Sequence, residues 1–174
     1  MRIQYFIGID PGVTGGIAAL DAETGELTLY DIPLIGNKEI DARGLFEIFE
    51  KYTKERHIFC LEDVHAIAGS AAGNTFKFGK MAGLKEGFLI ASKAEFQKVA
   101  PKKWQAVAWQ GIPNMLNSKG ARDTKGMSLL AAQRLFPNQK FLKSKTGPID
   151  AALMAKYMWL TYGQVKDNNH SQTN

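Results

Sequence analysis

Tyr5-Phe6-Ile7-Gly8-Ile9-Asp10-Pro11-Gly12-Val13-Thr14-Gly15-Gly16-Ile17-Ala18-Ala19-Leu20 decides the architecture. A short apolar run from Tyr5 to Ile9 stops at a carboxylate, as a buried strand does where it reaches the edge of a sheet. Pro11 and Gly12 turn the chain, and Ile17 to Leu20 read as a second strand. A further turn, residues 21–26, leads into residues 27–32, where apolar and polar side chains alternate in the manner of a half-buried strand. Three strands joined by turns this short form an antiparallel meander.

Working outward, residues 41–54 carry Leu45, Phe46, Ile48, Phe49 and Tyr52 at helical spacing, with Asp41 placed to cap the helix. Ile58-Phe59-Cys60-Leu61 is a second buried strand and also ends on acids, Glu62 and Asp63. A loop rich in Gly, Ala and Ser (residues 66–73) precedes a long helix over about 75–91. Residues 96–100 read as a strand closed by Pro101, and 102–109 as a short helix. Residues 111–123, rich in Gly, Pro, Asn and Ser, read as a mobile loop. Helices are expected over 124–136, ended by Pro137, and over about 149–162. The order of elements is that of an α/β chain with a mixed five-stranded sheet, meander plus parallel strands, flanked by helices. Residues 1–163 read as one domain, and the polar residues 164–174 as a disordered tail.

Composition narrows the class. No apolar run approaches the roughly 18 residues that span a bilayer, so no membrane partner is expected, and the first residues lead into a strand rather than a leader segment. The single cysteine, Cys60, sits in an apolar run as a core residue, which suits a reducing, cytoplasmic setting. The chain carries a formal charge of +5. Between Lys93 and Lys145 the basic residues face only two acids, Glu95 and Asp123. Such a stretch fits either a nucleic-acid surface or a solvated face.

Three carboxylates stand at element ends. Asp10 closes the first strand and Glu62 the fourth; Asp150, after Gly147-Pro148, opens the last helix. Each has a local explanation: a turn residue before Pro-Gly, a surface acid, a helix N-terminal acid. If the two strands are neighbours, all three meet at one sheet end. The cluster would then repel itself unless a cation such as Mg²⁺ neutralised it. Paired ions in such a site act on phosphodiesters.

The same residues resemble the RuvC-type Holliday junction resolvases. Gly8-Ile9-Asp10-Pro11-Gly12 with Thr14-Gly15 resembles the first motif of that family, and Leu61-Glu62-Asp63-Val64 its second acidic strand. Asn74 to Gly83 resembles the helix that follows, Pro101-Lys102-Lys103-Trp104 a segment before a basic loop, and Asp150-Ala151-Ala152-Leu153-Met154-Ala155 the final helix. These segments occur in order over about residues 3–160. Gly-Ile-Asp-Pro-Gly alone would be weak, since actin-like kinases and ATPases carry similar turns, and this chain is short for their two-lobed form.

The resemblance implies an RNase H-like fold, a homodimer, and Mg²⁺-dependent cutting of a four-way DNA junction, with Mn²⁺ able to substitute and two ions per site. Asp10, Glu62 and Asp150 would be metal ligands. Lys125 would lie near the scissile phosphate during in-line attack by an activated water. The family usually carries a further acidic or histidine ligand three or four residues before the last Asp, where this chain has Gly147 and Thr146. Asp63 adjoins Glu62, but strand alternation points it away. A second ion is therefore expected to be held loosely, with reduced or Mn²⁺-favoured activity. The compact form suits a bacterium, a bacteriophage or an organelle.

On the same resemblance, His65, Phe76, Lys77, Phe78, Lys80, Lys102, Lys103, Lys119, Arg122, Lys125, Lys143 and Lys145 are candidate DNA contacts. The lysines and arginine would meet phosphates, and the phenylalanines would stack at an opened base pair; Phe76 and Trp104 also suit a core. Gly79, Gly83 and Gly87 recur every four residues on one helix. They leave a flat stripe for close packing, either within the monomer or, as the resemblance favours, across a dimer. Three other readings remain: a related RNase H-like nuclease on other branched DNA or RNA, a junction-binding protein with little catalysis, and a phosphate-binding ATPase.

Overall fold

A strand buried on both faces belongs at the centre of a sheet, and Tyr5–Asp10 (β1) is one. Phe6 joins one apolar core and Ile7 and Ile9 the other, on opposite sides of the strand. The computed structural model describes residues 2–12, 14–36, 39–64 and 71–163. In it β1 pairs antiparallel with Gly16–Asp21 (β2), Asp10 opposite Gly16, and β2 pairs antiparallel with Leu27–Asp31 (β3). On its other edge β1 pairs parallel with His57–Glu62 (β6), Ile9 opposite Leu61. Phe96–Val99 (β7) adds to β6, also parallel, giving the order β3-β2-β1-β6-β7. This is the mixed five-stranded sheet expected from the sequence.

Between β3 and β6 lie a small hairpin, Leu34–Ile35 (β4) with Glu39–Ile40 (β5), and the helix Ala42–Thr53 (α1). The hairpin was not expected, because strands of two residues are too short for alternation to register. Asp41 caps α1 as expected, its Oδ1 accepting from the amides of Arg43 and Gly44 at 3.1 and 3.0 Å. The long helix Ala72–Ala91 (α2) begins a few residues before the expected start, without a side-chain cap. Pro101 ends β7 and also occupies the first turn of Pro101–Ala108 (α3), where its missing N–H has no intrahelical partner to lose. Thr124–Leu135 (α4) is capped by Asp123. The loop before it is tied by backbone bonds from Asn117 N to Ala121 O and from Asp123 N to Met115 O.

The last helix, Thr146–Tyr162 (α5), corrects one expectation. It starts at Thr146, so Asp150 lies in its second turn and does not open it. Pro148 does not prevent this, because a first-turn N–H is unpaired in any helix. α5 packs against β1 and β2, and α3 and α4 pack against α5, around Trp104, Met127, Cys60 and Leu153. Cys60 is fully buried, as its apolar setting predicts. The other face of the sheet holds the second core, with Leu45, Phe49 and Tyr52 of α1 and Leu89 of α2. Among the described residues no helix is long and apolar enough to cross a membrane.

What lets α5 lie on the sheet is the absence of side chains beneath it. A Cβ on Gly8 would overlap the Ala151 carbonyl oxygen, and one on Gly16 would overlap Pro148. Gly147 abuts Gly15, with which it forms an isolated parallel bridge. Gly8→Ala must therefore push α5 off β1. The expected cost is about 3 kcal/mol or more, at or beyond the usual upper end for overpacking, read as a lowered melting temperature or loss of folded protein. An unchanged melting temperature would refute this account of the helix–sheet contact.

Candidate functional site

The parallel pairing of β1 and β6 brings Asp10 and Glu62 to the same sheet edge on adjacent strands, which run about 4.8 Å apart. Alternation turns both toward α5: Asp10 lies two residues past Gly8 beneath α5, and Glu62 two past Cys60 in the same core. Asp150 comes down from α5, one residue before the Ala151 that touches Gly8. All three acids are half-buried.

Each is held by a different group. Asp10 Oδ1 accepts from the Gly12 amide at 2.9 Å, closing the Asp-Pro-Gly turn on itself. Glu62 Oε1 accepts from Trp104 Nε1 at 3.0 Å. The buried Ser128 hydroxyl of α4 lies near enough to Asp150 to favour its charged form, while Asp150 Oδ1 is buried and has no hydrogen-bond partner among the described residues.

Burial is the largest influence on all three, and it makes them harder to ionise. Glu62 is pushed up to about 7, by burial first and then by the charges of Asp10 and Asp150, against the Trp104 bond. Asp150 is pushed up to about 6, by burial first and also by Asp10, while the Ser128 hydroxyl and the Lys125 charge oppose the rise. Asp10 is raised by burial, opposed by the Gly12 amide and the charge of Lys85. The acids thus feel one another. Yet among the described residues no three acidic, histidine or cysteine side chains converge closely enough to form a ready-made metal cage. The donor set is all oxygen, and the orphaned Asp150 Oδ1 lacks a partner that a hard cation such as Mg²⁺ or Mn²⁺ would provide. The residues fit such an ion chemically.

Lys125 stands exposed in the first turn of α4, near enough to Asp150 to favour its charged form. Lys102, on α3, and Arg122 line one cleft of about 570 Å³ with Gln105, Trp109 and Asn114; the Arg122 guanidinium lies 5.1 Å from the Trp109 ring centre. Lys103, Lys119 and Lys143 are exposed. Lys145 is instead paired with Asp31 at the end of β3. On α2, Lys77 and Lys80 are exposed, Phe78 is half-buried, and Phe76 is 73% exposed and no part of a core. Trp104 is core, 1% exposed. His65 lies outside the described residues. Among the described residues, a Cβ at Gly79, Gly83 or Gly87 would meet nothing within 4 Å.

Three residues at the site were not foreseen from the sequence: Trp104 as a donor to Glu62, Ser128, and Lys85. Lys85 is fully buried, and its ammonium, pushed down to about 8 chiefly by burial, points at the turn that carries Asp10. A signal for it existed. Met81, Lys85 and Leu89 recur at a spacing of four, so a lysine occupies an inward position of an otherwise apolar stripe.

No family model and no curated protein sequence matches the chain. Among solved structures, one described as Thermus thermophilus RuvC in complex with a Holliday junction substrate superposes with a TM-score of 0.58 over 89% of this chain and 94% of that one, at 10% identity. The fold is RuvC-like. A second Thermus thermophilus RuvC structure agrees, with a TM-score of 0.56 and 14% identity over 89% of this chain and 95% of that one. The shared fold accounts for the five-stranded mixed sheet.

The raised carboxylates make a prediction for the metal-free protein. A group whose folded value exceeds its unfolded value of about 4.3 for Glu holds its proton more tightly when folded, so stability falls as pH rises through that interval. Between pH 5 and 7.5, below the range where Lys85 titrates, the metal-free protein should lose stability, with Glu62 alone contributing on the order of 3 kcal/mol. Glu62→Gln should flatten the profile, and denaturant titrations in EDTA across this range measure it. A stability that climbs with pH would contradict the site's electrostatics.

Proposed function

We propose that the protein is a divalent-metal-dependent endonuclease that cuts branched DNA, with the four-way junction as its substrate, and that it acts as a homodimer. The observation that carries this reading is that Asp10, Glu62 and Asp150 lie within electrostatic reach of one another at one edge of a RuvC-like sheet, each made harder to ionise chiefly by burial. A structural neighbour described in complex with a Holliday junction substrate supports the choice of substrate.

Asp10, Glu62 and Asp150 would hold one or two Mg²⁺ or Mn²⁺ ions, which when bound supply charge neutralisation and polarise the phosphodiester. Trp104 keeps the Glu62 carboxylate at a set angle through Oε1, and Ser128 favours the charged form of Asp150. Lys125, exposed beside Asp150, is placed to stabilise charge developing on a phosphate. Lys102, Lys103, Lys119 and Arg122 extend the basic surface along the DNA backbone, Lys77 and Lys80 continue it on α2, and exposed Phe76 can stack on an unpaired base.

The position of a fourth ligand stays empty in this chain. Gly147 is packed against Gly15 and has no side chain to offer, and Thr146 is a neutral hydroxyl. We therefore expect the second ion to bind weakly and Mn²⁺ to support faster cleavage than Mg²⁺. The same feature favours a second reading, a junction-binding protein with little catalysis.

Cleavage of a synthetic four-way junction, compared with three-way, flap and linear substrates in each metal, separates these readings. Wild type should nick the four-way junction. Asp10→Asn should cut at least about a hundredfold slower while still binding the junction in EDTA, a ligand loss exceeding typical outer-shell effects. Lys125→Ala should slow cleavage by about a hundredfold, the scale for one donor to a developing oxyanion. Cleavage that survives Asp10→Asn would remove the site; tight binding without nicks in any metal would select the second reading.

For the dimer, the exposed faces of Gly79, Gly83, Gly87 and Ile90 fall on one stripe of α2. A helix glycine costs about 1 kcal/mol against alanine, and among the described residues none lies close enough to these three glycines to offset that cost. Gly83→Leu should convert a dimer into a monomer in sedimentation experiments without lowering the melting temperature of the monomer. A wild type that sediments as a monomer at all concentrations would refute this part.

A further inference from the structure

We propose that Lys85 is a positioning residue for the acidic site: from beneath the sheet edge its ammonium clamps the backbone of the turn that carries Asp10. The clamp is built from three carbonyls. Lys85 Nζ donates to Pro11 O at 2.7 Å and Gly12 O at 3.1 Å, with Asp10 O at the outer limit of 3.5 Å. An ammonium has three donors and no acceptor, so a turn that presents three carbonyls to one buried point satisfies it fully.

The contact reaches the carboxylate through a short chain of bonds. Gly12 O accepts from Lys85 and also from the Gly15 amide at 3.0 Å. The Gly12 amide, on the other side of the same residue, donates to Asp10 Oδ1 at 2.9 Å. Holding Gly12 therefore holds the donor that orients Asp10. Lys85 reaches the turn from the face opposite α5, since Leu89, one helical turn along, belongs to the core on that face. Its positive charge lies close enough to Asp10 to favour the ionised carboxylate.

This inference rests on the reading of Asp10 as a metal ligand for its effect on cleavage, but its structural part is measured without metal or DNA. In Lys85→Met, which keeps the apolar stem and removes the donors, the Gly12 and Gly15 amides should exchange with solvent about tenfold faster or more. Mn²⁺ affinity, measured by spin-resonance titration, should fall about tenfold, the scale for losing an outer-shell partner. In junction cleavage kcat should drop while KM stays, because the DNA surface is untouched. Leu89→Ala, a core cavity on the same helix, controls for stability and should change none of these three readouts beyond its effect on melting temperature.

Wild type supplies a measurement that needs no variant. At pH 6 the Lys85 ammonium protons should give a resolved, slowly exchanging nitrogen-correlated signal with cross-peaks to the amides of the turn. The proposal is overturned if that signal is absent. It is also overturned if Lys85→Met keeps wild-type exchange at Gly12 and Gly15, or if Leu89→Ala reproduces the full set of changes. A wild type that neither binds Mn²⁺ nor cuts any junction refutes the nuclease reading instead, and the exchange data then decide the clamp alone.

Discussion

The approach of α5 to the centre of the sheet governs everything above it. Gly8, Gly16 and Gly147 remove the side chains that would hold a helix at its usual stand-off, so the Ala151 carbonyl and Pro148 rest directly on strand backbone. The buried alanines of α5 continue the same logic along the helix. Dispersion contacts made at this distance are individually small and collectively large, and they exist only while no Cβ intrudes. Asp150 is carried in by this contact. Its depth beside Asp10 is a consequence of glycine spacing on two strands and one helix, and no local preference of Asp150 itself is needed to put it there.

The same closeness creates the electrostatic problem of the site. Three carboxylates are drawn out of water faster than the protein supplies partners for them. The Gly12 amide, Trp104, Ser128 and the charges of Lys85 and Lys125 each offset part of the penalty. They do not offset all of it, as the elevated values of Glu62 and Asp150 and the unpaired Asp150 Oδ1 record. A site in this condition has two ways to relax: take up protons or take up a cation. Near neutral pH the first is failing, which is the physical basis for expecting the second.

How much of this was legible in the sequence follows from the range of the forces involved. Strand alternation and helical periodicity are local, so β1, β2, β3, α1 and β6 could be read directly, together with the acids that terminate β1 and β6. The cap at Asp41 is equally local. The start of α5 was misplaced because proline usually marks a boundary, whereas here it sits in the one turn that tolerates it. The β4–β5 hairpin was too short to carry a period. The partners of the acids were invisible for a different reason. Trp104 lies 42 residues from Glu62, and Lys85 lies 73 from Gly12, so only the folded chain brings them together. The glycine stripe on α2 carried two explanations in sequence, and among the described residues nothing lies against it within 4 Å.

That stripe and the clamp belong to one rigid element. Lys85 lies between Gly83 and Gly87 in the chain and faces inward, while the glycines on either side face outward. An α-helix translates and rotates as a unit, because its backbone bonds resist local shear. A subunit docked on the outer face of α2, as proposed, would bear on the same helix whose inner face carries the ammonium at the Asp10 turn. With contacts of 2.7 and 3.1 Å, a shift of even half an ångström along the helix axis would lengthen one bond of the clamp beyond good geometry. In the proposed dimer, then, association and the geometry of the acidic site are not separate properties of the chain: the partner subunit would press on one side of the helix whose other side steadies Asp10.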